Sequence, residues 1–222
     1  MPYSVAIAAH NAVETLAETL ASALSQTVPP AEIVVVDDGS TDGTAEITEG
    51  VDRVTVIRQA NTGVGAASSR AIRATSYPVV ATLDADDLWL PEKMERQLML
   101  LETSAPRTLI FAKHRQFHHK SKDRTGGKER PGLTRSDMVL HRAVFDEIGD
   151  FIDPPGGRGD VIDWLARARE ARCTFKKIEE VLVLRRIIPG SLSFGRDTSK
   201  DRGYLAVAYE AMLRRRQRQT GD

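Results

Sequence analysis

The chain has 222 residues, 41% of them hydrophobic and 28% charged, a globular composition sufficient for one ordinary domain or two very small ones. Lys+Arg and Asp+Glu both total 31, and this zero balance argues against a dedicated nucleic-acid binder. No apolar run approaches the ~18–20 residues of a spanning helix, and no charged segment precedes the apolar stretch at the N-terminus. A single cysteine, Cys173, excludes an internal disulfide framework and any multi-cysteine zinc site, and reads as a small buried hydrophobe. The expectation is a soluble, cytoplasmic, single-domain protein.

Residues 3–9 read as a strand bounded by His10-Asn11, and Asn11 with Glu14 has the spacing of a capping box. Val13, Leu16, Leu20 and Leu24 then recur at helical spacing until Pro29-Pro30. The β-branched run 32–36 predicts a second strand ending in Asp37-Asp38-Gly39-Ser40, with a helix to follow, capped by Ser40 or Thr41. Val54–Ile57 is a third strand, the Ala-rich stretch Val64–Thr75 a helix, and Val79–Leu83 a fourth strand running into Asp84-Ala85-Asp86-Asp87. Pro91 suits the first turn of a helix reaching Glu102. Farther on, Thr108–Phe117 and Phe175–Ile187 look like strands, Asp160–Ala171 like a helix, and Asp201–Arg218 like a final amphipathic helix.

Alternating strands and helices through the first hundred residues imply parallel βαβ units, hence an α/β fold with a mostly parallel sheet and helices on both faces. No internal repeat and no long linker divides the chain. The charge is unevenly spread: residues 1–100 carry 6 basic and 14 acidic side chains, residues 101–222 carry 25 and 17. Between Lys113 and Arg130, seven basic residues meet two acidic ones, with Gly126-Gly127 and Pro131-Gly132 as punctuation. That stretch reads as a mobile surface loop: a solvated charged segment, or a flap that recognises an anionic acceptor or closes on a phosphate.

In such sheets ligands bind outside the carboxyl ends of the strands, where the acidic clusters 37–38 and 84–87 both fall. The second cluster is either a turn-and-capping cluster ahead of Pro91 or a divalent-cation site. Carboxylates crowded on one turn raise each other's pKa, and oxygen-only ligands favour Mg²⁺ or Mn²⁺. Asp37-Asp38 is either a plain strand-to-helix turn or a carboxylate reading the N–H groups of a base or sugar. Asn61-Thr62-Gly63-Val64-Gly65 leads into a helix and offers backbone N–H groups to an anion, without being a Walker loop or a dinucleotide fingerprint. Trp89 and Trp164 either pack or stack on a sugar, and Arg185-Arg186 either form surface ion pairs or reach a diphosphate. The last helix carries Leu205, Ala208, Tyr209, Met212 and Leu213 on one face and Arg214-Arg215-Arg216 with Arg218 near its end. It docks on the domain or lies on a membrane surface.

Ser4–Asn11, the string Glu32–Thr44, the Asn61/Gly63 segment and Leu83–Pro91 together resemble, in order and spacing, family 2 glycosyltransferases; Val144–Phe151 and Asp160–Ala168 add a looser likeness. The resemblance implies a single GT-A (Rossmann-like) domain over 1–222. Within it, 1–102 would be the nucleotide-sugar half, 103–199 the acceptor side and 200–222 a C-terminal helix. It also implies inverting transfer from a nucleotide-diphosphate sugar, a UDP-sugar, with Mn²⁺ or Mg²⁺. The acceptor would be a glycan, a lipid-linked sugar, a peptide or a small molecule; peripheral membrane contact is the reading offered by the basic last helix itself.

Carried over by position, Ala8, His10, Asn61 and Gly63 line the nucleotide pocket and Asp38 reads the base. Asp84 and Asp86 match the Asp-x-Asp motif, with Asp86 the main metal ligand, Asp84 turned towards the ribose, and Asp87 a competitor for the metal. The general base falls on the segment opening a late helix, Asp160 first and Asp163 second. The alternative is a catalytically reduced GT-A-like module that binds a nucleotide or a partner and transfers nothing.

Overall fold

The computed structural model describes residues 1–191, 194–195 and 197–220. Its centre is a nine-stranded sheet. Strands β1 (Ser4–Ala9), β2 (Glu32–Asp38), β3 (Val54–Gln59) and β4 (Val79–Asp84) run parallel in the order β3-β2-β1-β4. The remaining strands are β5 (Leu88–Trp89), β6 (Thr108–His118), β7 (Glu129–Arg130), β8 (Met138–His141) and β9 (Thr174–Ile187). Antiparallel β8 joins β4 to β6, β9 lies parallel to β6, and β5 and β7 add short antiparallel edges on β9 and β6. The outcome is the mixed, mostly parallel sheet expected from the sequence.

Strand alternation explains why both faces are covered. Val5, Ile7, Ile33 and Val35 pack against helices α1 (Leu16–Leu24) and α3 (Lys93–Glu102) through Leu16, Leu20, Met94 and Leu98. Ala6, Val34 and Val36 turn the other way, towards α2 (Val64–Arg73) and α5 (Asp160–Glu170). Beside α5, the short α4 (Arg142–Ile148) contributes Phe145, whose ring lies 6.1 Å from Trp164. Trp164 donates from Nε1 to the Gly149 carbonyl at 2.8 Å, and Trp89 donates to the Ser136 carbonyl at 2.9 Å; both rings are core. Cys173 is free and buried.

Several local expectations fail for physical reasons. Asn11 takes φ 47° and its Oδ1 accepts from Thr41 N–H at 2.9 Å, while Glu14 pairs with His119; no capping box forms, and α1 starts at Leu16. In place of a helix after β2 there is one 3₁₀ turn, Ala45–Thr48. Ahead of it, Asp42 accepts from the backbone N–H groups of Val13 and Thr44 and holds the chain as a turn. The basic stretch from Lys113 is not one loop: β6 runs through it to His118, and β7 returns to pair with His114 and Arg115. Only the segment between them is irregular.

The final helix, α6 (Thr198–Thr220), also departs from its pattern. Leu205 is 74% exposed, and Tyr209 and Met212 are exposed too; among the described side chains of this helix, Gly203 and Val207 are the buried positions. Docking is therefore made by Gly203 and Val207 against the segment Pro154–Gly159, and on α5 by Arg214, which reaches Asp163 at 2.9 Å and Glu170 at 3.1 Å. The side chain of Arg218 lies outside the described residues. Among those residues, no helix is long and apolar enough to cross a membrane.

Candidate active site

The carboxyl ends of β1, β2 and β4 lie side by side, with Ala8 in register with both Val36 and Asp84. At the β2 end, the Asp38 carboxylate is buried and organises the glycine-rich turn. Its Oδ1 accepts from Thr62 N–H at 2.9 Å and Gln59 Nε2 at 2.7 Å, and its Oδ2 from Gly63 N–H at 2.9 Å. His10 Nδ1 lies 2.8 Å from the Asp38 carbonyl oxygen, and Asn61 Nδ2 lies 3.3 Å from the same ring. Ala8, His10, Asp38, Asn61 and Gly63 thus converge on one rim, with the His10 ring and the Asn61 amide exposed there.

The α2 amino end is not an open anion site. Asp153 places Oδ1 on Gly65 N–H at 2.8 Å and Oδ2 on Ala66 N–H at 2.9 Å, so the protein's own carboxylate fills it. The approach is close: a Cβ at Gly63 would meet Asp153 Oδ2 at 2.7 Å, and one at Gly65 at 2.9 Å. Nothing in the local pattern singles out Asp153, because its partner lies 88 residues away.

At the β4 end the three aspartates have separate fates. Asp87 is 2% exposed; its Oδ2 accepts from Ser136 Oγ at 2.6 Å and its Oδ1 from Arg186 N–H at 2.9 Å. Burial, then the neighbouring Asp86 and Asp84, push its pKa well above the carboxylate range. With both oxygens engaged and the side chain sealed, Asp87 is a structural tie between β4, β9 and the 3₁₀ turn Arg135–Asp137. The expectation that it competes for a metal is corrected on that ground.

Asp86 is half-buried, and among the described residues no side chain donates a hydrogen bond to its carboxylate. Burial, followed by the charge of Asp84, raises its pKa to about 6. Such a group suits a divalent cation, which would offset the penalty on the charged form. Among the described residues no three His, Cys, Asp or Glu side chains form a ready-made cage.

Arg135 is the residue that sequence reasoning missed. Its Nε donates to Asp84 Oδ1 at 2.8 Å and its Nη1 to Asp160 Oδ2, so one guanidinium joins a strand-end carboxylate to the first residue of α5. Asp160 follows Gly159, which turns the chain into the helix at φ 116°. Its side chain is 8% exposed. Burial raises its pKa, opposed by Arg135 and reinforced by Asp84. Asp163 sits one turn on and faces elsewhere: it pairs with Arg167 at 2.8 Å and with Arg214 of α6. The structure therefore brings Asp160 to Asp84 and commits Asp163 to helix packing.

The architecture is that of the GT-A glycosyltransferases. Residues 4–152 match the model of "Glycosyl transferase family 2", and the chain belongs to that family. The Staphylococcus aureus TarS fragment 1–349, solved in complex with UDP-GlcNAc, superposes with a TM-score of 0.72 at 17% identity, covering 95% of this chain and 66% of that one. An uncharacterized glycosyltransferase, alr2836, of Nostoc sp. is 39% identical over 109 residues, 47% of this chain and 34% of that protein. The Escherichia coli UDP-Glc:alpha-D-GlcNAc-diphosphoundecaprenol beta-1,3-glucosyltransferase WfaP is 38% identical over 104 residues, 45% of this chain and 41% of that protein. The chain thus matches well under half the length of these curated relatives.

Proposed function

We propose that the chain is a metal-dependent inverting glycosyltransferase domain that moves a sugar from a UDP-sugar to an acceptor hydroxyl. The observation that carries this reading is the Arg135 bridge, which joins Asp160 to the strand-end carboxylate Asp84. The rim of Ala8, His10, Asp38, Asn61 and Gly63 takes the nucleoside. There the His10 ring offers a stacking face, and Asp38, whose carboxylate already holds the Thr62 and Gly63 N–H groups, would accept an N–H of the base on opening of that turn. Asp86, with Asp84, would hold Mn²⁺ or Mg²⁺. Bound there, the cation would offset the charge that grows on the leaving diphosphate, a contribution of several kcal/mol as an order of magnitude.

Asp160 takes the acceptor proton. Burial raises its proton affinity, Arg135 fixes its orientation, and such base assistance typically contributes about 10²–10⁴-fold. The UDP found with TarS and the UDP-Glc in the name of WfaP favour a uridine donor.

The test is nucleotide release from a panel of UDP-sugars with Mn²⁺, repeated with EDTA and for Asp86→Ala. Release that depends on both the metal and Asp86 supports the reading. UDP binding without release from any donor would leave a binding module instead. Full activity in EDTA would remove the metal.

A further inference from the structure

A second cavity lies on the α1 side of the Asp86 turn. It is open to solvent, with a volume of about 490 Å³, and is lined by α1 and the residues just before it, the segment after β6 and the end of β9. Its charged lining is Glu14, Glu18, Lys120, Lys122, Arg124 and Arg186, four cations against two carboxylates. The nucleoside rim shares none of these residues.

Its walls are built, not merely a scatter of surface lysines. Phe117 is buried and lies beneath two guanidinium groups, Arg186 at 4.7 Å and Arg124 at 5.3 Å from its ring centre. Arg186 is itself buried; its Nε donates to the Asp86 carbonyl oxygen at 2.7 Å and its Nη2 to Glu18 Oε2 at 2.6 Å. Arg124 donates to the other Glu18 oxygen. Burial works against the Glu18 charge, but hydrogen bonds from Arg186 and Arg124 hold its pKa below the ordinary value. Glu14 is paired with His119 and Lys120.

Two forked donors meet on one carboxylate, each with N–H groups to spare, and Lys122 stands exposed at the rim. A carboxylate offers only two oxygens, whereas a phosphate offers three to the same forks and draws in the ammonium groups as well. We infer that this cavity is an acceptor subsite for a phosphate group, with Glu18 as the internal anion that the phosphate displaces. The inference rests on the transferase reading above, because it makes the occupant the acceptor. The Arg186 bridge to the Asp86 backbone sets that phosphate next to the donor site, so an acceptor carrying a phosphate near its nucleophilic hydroxyl is the substrate class.

The test is an NMR titration of the full ¹⁵N-labelled chain with sn-glycerol 1-phosphate at constant ionic strength, with UDP held at saturation. Saturable shifts at Ser121–Arg124 and at the Arg186 Nε are expected. Arg124→Ala should weaken binding by about tenfold, the loss of one charge-assisted hydrogen bond. Glu18→Gln should tighten it, an effect opposite in sign to any loss of folding. Shifts no larger than those with chloride, shifts that appear only when UDP is left out, or unchanged affinity in Arg124→Ala would each overturn the subsite. Vesicles of phosphatidylglycerol form a second arm, and binding to them without binding of the soluble phosphate would overturn it in favour of a lipid surface. Donor turnover on the unmodified protein is scored separately: no nucleotide release with phosphate still bound removes the transferase reading, while release without phosphate binding removes only the subsite.

Discussion

Asp86→Asn should make the metal-free protein more stable. In the fold the proton affinity of Asp86 rises from a pKa of 3.8 to about 6, because burial and Asp84 penalise its charge. Each tenfold change is about 1.4 kcal/mol, so the ionised side chain costs the fold about 3 kcal/mol at most at pH 7.5. Asparagine keeps the shape and removes the charge. The sign follows from linkage: between pH 4 and 6 the folded state binds more protons at this site than the unfolded chain, so stability falls as pH rises through that window. Urea unfolding of both proteins in EDTA should show the variant ahead by about 1–3 kcal/mol at pH 7.5. The gap should close by about pH 3, below both pKa values, where Asp86 is protonated in folded and unfolded states alike. Adding Mn²⁺ should stabilise the wild type and not the variant. A variant that is equally or less stable at pH 7.5 would refute the argument that Asp86 is a strained carboxylate awaiting a cation.

Arg135→Met leaves Asp84 and Asp160 facing each other without their shared cation, and urea unfolding should register a loss of about 3–5 kcal/mol; a loss below about 1 kcal/mol would show the bridge to be loose. Asp160→Asn should keep UDP affinity and lose transfer by at least about a hundredfold, the lower end for base assistance. Asp163→Asn should lower stability through Arg167 and Arg214 while turnover per folded molecule is kept, and the reverse pattern would pass the base to Asp163. In α6, a Cβ at Gly203 would stand 1.9 Å from the Arg158 carbonyl oxygen and 3.1 Å from Pro154. Gly203→Ala should therefore undock that helix and speed limited proteolysis ahead of it severalfold; an unchanged digest would mean that the contact yields.

What the sequence revealed and what it hid follow one physical line. Strands 1–4 and the aspartates at their ends were readable because short-range patterns specify them: β-branched runs closed by Asp-rich turns. Arg135 was not readable. Its role depends on partners 51 and 25 residues away, supplied by a strand–3₁₀ corner that hydrophobic periodicity does not register. Asp87 misled because three adjacent carboxylates look alike in a string, while Ser136 and the Arg186 backbone select one of them for burial. In α6 the apolar face misled for a related reason. Close packing on the segment ahead of α5 needs a missing side chain at 203, and a hydrophobic pattern does not score the absence of one.

The Asp153 carboxylate at the start of α2 bears on how the chain is made. The N–H groups of Gly65 and Ala66 await a partner synthesised 88 residues later, which at ~5–20 residues per second is several seconds. Through that interval the apolar side of Val34, Val36, Ala67 and Ile72 also lacks Phe145 and Trp164, which cover it in the finished molecule. The α2 side of the sheet is therefore born incomplete and closes only when Phe145, Asp153 and Trp164 arrive. Stalled nascent chains should show this as protease cleavage within α2 when they end near residue 130, and protection once Asp153 and α5 have left the ribosome.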